Sequence, residues 1–127
     1  MTKPIYVPKP WGGRRLESVL GRDDLPAGPI GESWEAVDTP EAHSVVDGGP
    51  CDGRPLSEVL EQPLELVIEI LDAREDLSVQ VHPDGLQGDP PPKEEAWVAL
   101  LSEGHVGLGL DPAVAELAGV ALSNLDD

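Results

Sequence analysis

Hydrophobic and polar positions along this chain fall into short runs separated by dense turn signals. Residues 32–38 (ESWEAVD) and 43–46 (HSVV) read as short strands, the second ending at the turn sequence DGGPCDG. Leu56, Val59 and Leu60 fall at i, i+3 and i+4 behind Pro55, which predicts one or two helical turns. Residues 64–73 (LELVIEILDA) predict a longer, mostly apolar strand, and residues 77–82, 94–101 and 106–110 predict three more. The loop between the first two of these, DGLQGDPPP, holds three consecutive prolines that cannot join a central ladder, so it is expected to be stiff and exposed. Asp111 then caps a helix with Pro112 in its first turn and Val114, Leu117 and Ala118 as its apolar stripe. The sum predicts a mainly β fold, a barrel or sandwich with short helices, forming a single domain over residues 1–127.

Composition makes that core thin. A chain of 127 residues buries a smaller share of its surface than a larger domain does, and with three Trp, one Tyr and no Phe its packing falls to Val, Leu and Ile. Acidic residues outnumber basic ones 25 to 8, a formal charge of −17, which disfavours nucleic acid and anionic membrane as partners. The same field repels a phosphorylated sugar unless local Lys or Arg offset it. Cys51 is the only cysteine, so no internal disulfide forms, and it reads as a small half-buried side chain in a turn. No apolar stretch has the length of a signal peptide or a membrane span, because LELVIEIL is interrupted by Glu65 and Glu69; a cytoplasmic protein is expected.

The candidate chemistry lies in LSVQVHP and in KEEAW, which begins ten residues later. Gln80 and His82 alternate with apolar residues, so a strand places both on one face with Cα atoms about 7 Å apart, and Lys93, Glu95 and Trp97 repeat the arrangement on the next strand. If the strands pair, Gln80, His82 and Glu95 bring two oxygens and one nitrogen around a point. That donor set suits zinc or another borderline divalent ion. The ordinary alternative is a hydrogen-bonded His and Glu with no ion, and for Trp11, Trp34 and Trp97 it is packing.

The pieces KPWGGRRL, GESWEAV, DAREDLSVQVHPD and KEEAW, in that order over residues 9–97, resemble the type I phosphomannose isomerases. These are zinc-dependent mannose-6-phosphate isomerases built on a cupin jelly roll. The resemblance implies an incomplete jelly-roll barrel, the amino-terminal portion of the catalytic domain, acting on a sugar phosphate. It implies that Gln80, His82 and Glu95 hold the zinc, that Lys93 lies in the catalytic pocket, and that Trp11, Glu32 and Ser78 line the substrate. Two departures stand out. The family's fourth ligand is a histidine in a later Pro-x-Gly-x-x-His strand; the residues up to Asp127 contain none, leaving His43 and His105 as the other histidines. Glu69 also stands where the family usually has lysine. The expectation is a partial chain whose unpaired strand edges favour self-association, with a non-catalytic cupin-like metal-binding or interaction fragment as the alternative.

Overall fold

The computed structural model describes residues 1–77 and 94–104. The chain divides into two compact units, Met1–Ser78 and Val79–Asp127. The first holds strands β1 (Ile5–Gly13), β2 (Ile30–Ala36) and β3 (Ile68–Leu71), helix α1 (Arg15–Ser18), and two 3-10 turns at Gly49–Cys51 and Leu56–Glu58. The strands form one antiparallel sheet in the order β1-β2-β3. The described architecture is therefore mainly β, an open three-stranded sheet with short helices, as in an incomplete jelly roll. Among the described residues no helix is long and apolar enough to cross a membrane.

β1 was not expected from the sequence, because Pro8 and Pro10 interrupt its pattern. It exists because it is an end strand of the described sheet, where a missing N–H leaves no ladder bond unmade, and both prolines are exposed. Its first half runs in simple register against β2, with Ile5, Tyr6 and Val7 opposite Trp34, Ser33 and Glu32. The register then breaks: Pro8 and Gly13 both pair with Ile30, so residues 9–12 form an excursion that swings around the start of β2. The second half reaches the end of β3, where Gly13 N–H donates to Asp72 O at 3.0 Å and Arg74 N–H donates to Trp11 O at 2.9 Å. Asp72 N–H in turn donates to Gly31 O at 2.8 Å. One corner thus ties all three strands together.

Two glycines make the crossing possible. A Cβ on Gly12 would sit 2.5 Å from Gly31 N, and one on Gly31 would sit 2.5 Å from Lys9 Cβ and 2.7 Å from Trp11 Cζ3. These are backbone-to-backbone and backbone-to-ring approaches that any larger residue would block. Leu16, Ile30 and Val37 are fully buried, as are Ser33 and Ser44. Ser44 Oγ accepts the Val37 N–H at 2.9 Å, and every buried side-chain N or O among the described residues has a hydrogen-bond partner.

Several predicted elements shorten. Residues 43–46 form only isolated bridges, Asp38 to His43, Val45 to Pro55 and Thr2 to Val46; Pro55 has no N–H with which to extend a ladder. The 64–73 strand is reduced to Ile68–Leu71 because Ile68 already pairs with Ala36, the last residue of β2, beyond which the chain closes on itself through Asp38 and His43. The turn behind Pro55 is a single 3-10 turn. Residues 94–101 are described without strand pairing, so the strand expected there is not formed. The loop at residues 84–92, the strand at 106–110 and the helix from Asp111 lie outside the described residues, as does nearly all of the strand at 77–82.

Candidate functional site

The excursion in β1 builds the most functional-looking cluster of the first unit. Glu32 stands opposite Val7, so Lys9 is its diagonal neighbour across the strand pair and Trp34 its same-face neighbour along β2. Lys9 Nζ lies 2.8 Å from Glu32 Oε1, and Trp34 Nε1 donates to Glu32 Oε2 at 3.0 Å. The side chain of Glu32 is only 14% exposed and that of Lys9 34%, so the carboxylate is largely shielded and its partner is not. Trp11 packs over the bare Cα of Gly31, the residue next to Glu32. A carboxylate held by two donors and largely shielded from water is chemistry suited to a sugar, whose hydroxyls donate to oxygen.

A second carboxylate shapes the same corner. Asp72, 5% exposed, uses Oδ2 to accept the backbone N–H groups of Arg15 at 2.5 Å and Leu16 at 3.3 Å. These are orphan donors of the first turn of α1, which has no side-chain cap of its own. Asp72 reaches them because Gly13 lacks a Cβ, which would lie 2.5 Å from Oδ1.

The segment between α1 and β2 is tethered over β1. Arg22 pairs with Glu35 at 2.8 Å, Glu35 Oε1 accepts from the Ser33 hydroxyl, and Glu35 O accepts from the Thr2 hydroxyl. Arg14 Nη1 donates to Pro26 O and Gly28 O, and Tyr6 donates its hydroxyl to Asp24 Oδ1 at 2.6 Å. Burial, then the Asp24 hydrogen bond and charge, push the Tyr6 phenol from 10.0 up to about 12.

Of the residues singled out in the sequence, Trp11 and Glu32 fall at this corner. Glu95 is exposed in the second unit, outside any strand, and Trp97 Nε1 donates to its Oε2 at 3.3 Å. Ser78, Gln80, His82 and Lys93 lie outside the described residues, as does His105. His43 is exposed and pairs with Asp38 at 2.7 Å. Among the described residues no group of three or more His, Cys, Asp or Glu could hold a metal ion. Lys9 and Trp34 were missed as site residues. Trp34 was findable from its i+2 spacing to Glu32, but Lys9 was not, because its strand went unrecognised.

Comparison with known proteins gives a consistent answer. The chain is 37% identical over 100 aligned positions to a mannose-6-phosphate isomerase of Streptococcus mutans, a match covering 66% of this chain and 31% of that protein. It is 38% identical over 93 positions to mannose-6-phosphate isomerase ManA of Bacillus subtilis (65% and 29%). It is 33% identical over 93 positions to the probable mannose-6-phosphate isomerase GmuF of the same organism (65% and 29%). The chain thus spans about three-tenths of the length of the curated relatives it matches. No family model matches it, and no solved structure does. Over about two-thirds of its own length this chain is similar to part of the mannose-6-phosphate isomerases.

Proposed function

We propose that this chain carries part of the active site of a zinc-dependent aldose–ketose isomerase that interconverts mannose 6-phosphate and fructose 6-phosphate in the cytoplasm. The observation that carries the reading is the similarity of about two-thirds of this chain to mannose-6-phosphate isomerases, beside the LSVQVHP and KEEAW pieces of its sequence. Gln80, His82 and Glu95 would hold the zinc, and an amide, an imidazole and a carboxylate make a donor set that suits it. The ion's part is to polarise substrate oxygens as a Lewis acid. Isomerisation moves a proton between adjacent carbons; Lys93 would offset the oxyanion charge that develops or carry the proton. Trp11, Glu32 and Ser78 face the sugar.

A second reading is a non-catalytic cupin-like fragment that binds metal or a partner. It is favoured by Glu95, which is exposed and lies outside any strand. Exposed Leu66, Val67 and Ile68 at and before β3 support self-association under either reading. Zinc content and mannose 6-phosphate turnover of the purified chain separate the two. Stoichiometric zinc with turnover, both lost in His82→Ala, supports the isomerase. Zinc without turnover supports the fragment, and a metal-free chain refutes the ligand set.

A further inference from the structure

We infer that Lys9 is a positioning residue for the sugar site, holding the Glu32 carboxylate in the orientation in which it accepts a sugar hydroxyl. The inference rests on the reading of Glu32 and Trp11 as sugar-facing, and it adds a residue that neither the sequence pattern nor that reading supplied. A carboxylate offers about four lone-pair sites. Two are taken by the protein, one on each oxygen, through Lys9 Nζ at 2.8 Å and Trp34 Nε1 at 3.0 Å. This pair of contacts fixes the terminal torsion of Glu32, which is otherwise broad, and leaves lone pairs on both oxygens for a ligand.

Lys9 is itself held in place. It stands between Pro8 and Pro10, so both neighbours have a fixed φ and its own backbone is restricted to extended conformations. Its stem lies against the bare Cα of Gly31, where a Cβ would be 2.5 Å from Lys9 Cβ and Cγ. With its cation 34% exposed, the ion pair contributes less to folding than a fully buried one, and what the geometry adds is preorganisation. Ordering a flexible side chain only on binding lowers affinity about 2- to 12-fold, and a carboxylate already held in place avoids that loss.

The experiment uses the full chain and two readouts. Lys9→Met keeps the apolar stem and removes the charge; Lys9→Arg keeps the charge. In amide and indole N–H correlation spectra the Trp34 indole signal, assigned with Trp34→Phe, is expected to move in Lys9→Met and to return toward its wild-type position in Lys9→Arg. Titration with mannose 6-phosphate, followed by tryptophan fluorescence, is expected to show about 2- to 12-fold weaker binding for Lys9→Met and recovery in Lys9→Arg. In a Glu32→Gln background Lys9→Met should have no further effect, as holds when one residue acts through another. An unmoved Trp34 indole signal, or a Lys9→Met loss that persists undiminished without the Glu32 carboxylate, overturns the inference. A wild-type chain that binds no mannose 6-phosphate overturns the proposed function instead, and the indole signal still decides whether Lys9 holds Glu32.

Discussion

Replacing Asp72 by alanine should cost the first unit about 3 kcal/mol, because two hydrogen bonds to a charged acceptor are lost at once and such bonds contribute about 1.5–3 kcal/mol each. The Arg15 bond at 2.5 Å is short and the Leu16 bond at 3.3 Å is long, so the first dominates and the sum falls toward the lower part of the range. Asp72 is 5% exposed, so water does not readily replace the carboxylate, and the two N–H groups it serves have no alternative cap within α1. Asp72→Asn retains an amide oxygen at the same place but loses the charge and its favourable interaction with the start of the helix, a loss of about 1 to 2 kcal/mol. Denaturant unfolding monitored by tryptophan fluorescence measures both, with the order wild type, Asn, Ala in midpoint. Domains are commonly stable by only about 5–15 kcal/mol, so the alanine variant should show a large drop. An Asp72→Ala midpoint within error of wild type would refute the cap and, with it, the idea that the corner depends on this carboxylate.

Gly31→Ala should destabilise by about 1–3 kcal/mol or more, the usual cost of overpacking, because its Cβ meets Lys9 and Trp11; Gly104→Ala, with nothing within 4 Å, is the control that should leave thermal unfolding unchanged. Ser44→Ala leaves the buried Val37 N–H without its partner and should cost about 1–3 kcal/mol by the same unfolding assay. Tyr6 is the only tyrosine, so tyrosinate absorbance titrates one group. Its midpoint should lie near 12 in the folded chain and move down toward 10.0 in Asp24→Asn. Since the folded value is raised, the stability this phenol contributes is fully present below pH 10 and declines as the pH rises from 10 toward 12; Tyr6→Phe should flatten that decline.

The β class and most of β2 were legible because a short run with Trp34 and Val37 is flanked by turn residues, but the strand runs Ile30–Ala36 where 32–38 was expected. β1 was not, since proline is a breaker everywhere except at a sheet edge, and sequence pattern does not say which strand is the edge. The length of β3 was overread for a related reason: apolar character extends from Leu64, but pairing stops where the partner strand turns away after Ala36. Glu32 and Trp11 came from resemblance alone, and the structure supplies what the resemblance could not, namely the two donors on the Glu32 carboxylate. Asp72 was invisible in the sequence because its role is tertiary: it serves the start of a helix more than fifty residues earlier in the chain.

The corner also changes what the resemblance can be taken to mean. The quoted pieces Trp-Gly-Gly and Gly-Glu-Ser-Trp lie side by side at the crossing of β1 over β2, and Gly12, Gly13 and Gly31 are each required there by contacts of 2.5 Å. A chain needs those glycines to make the corner whether or not it acts on a sugar. Their match to isomerases therefore bears on the fold, and chemistry must be judged on residues that the corner does not need. Glu32 is one such residue, since a polar side chain largely withdrawn from water and met by two donors is not required for β1 to cross β2. The proposed ligands Gln80, His82 and Glu95 are judged the same way. Loss of zinc in His82→Ala, with unfolding unchanged, would show that the ligand motif answers to chemistry where the glycine motifs answer to packing.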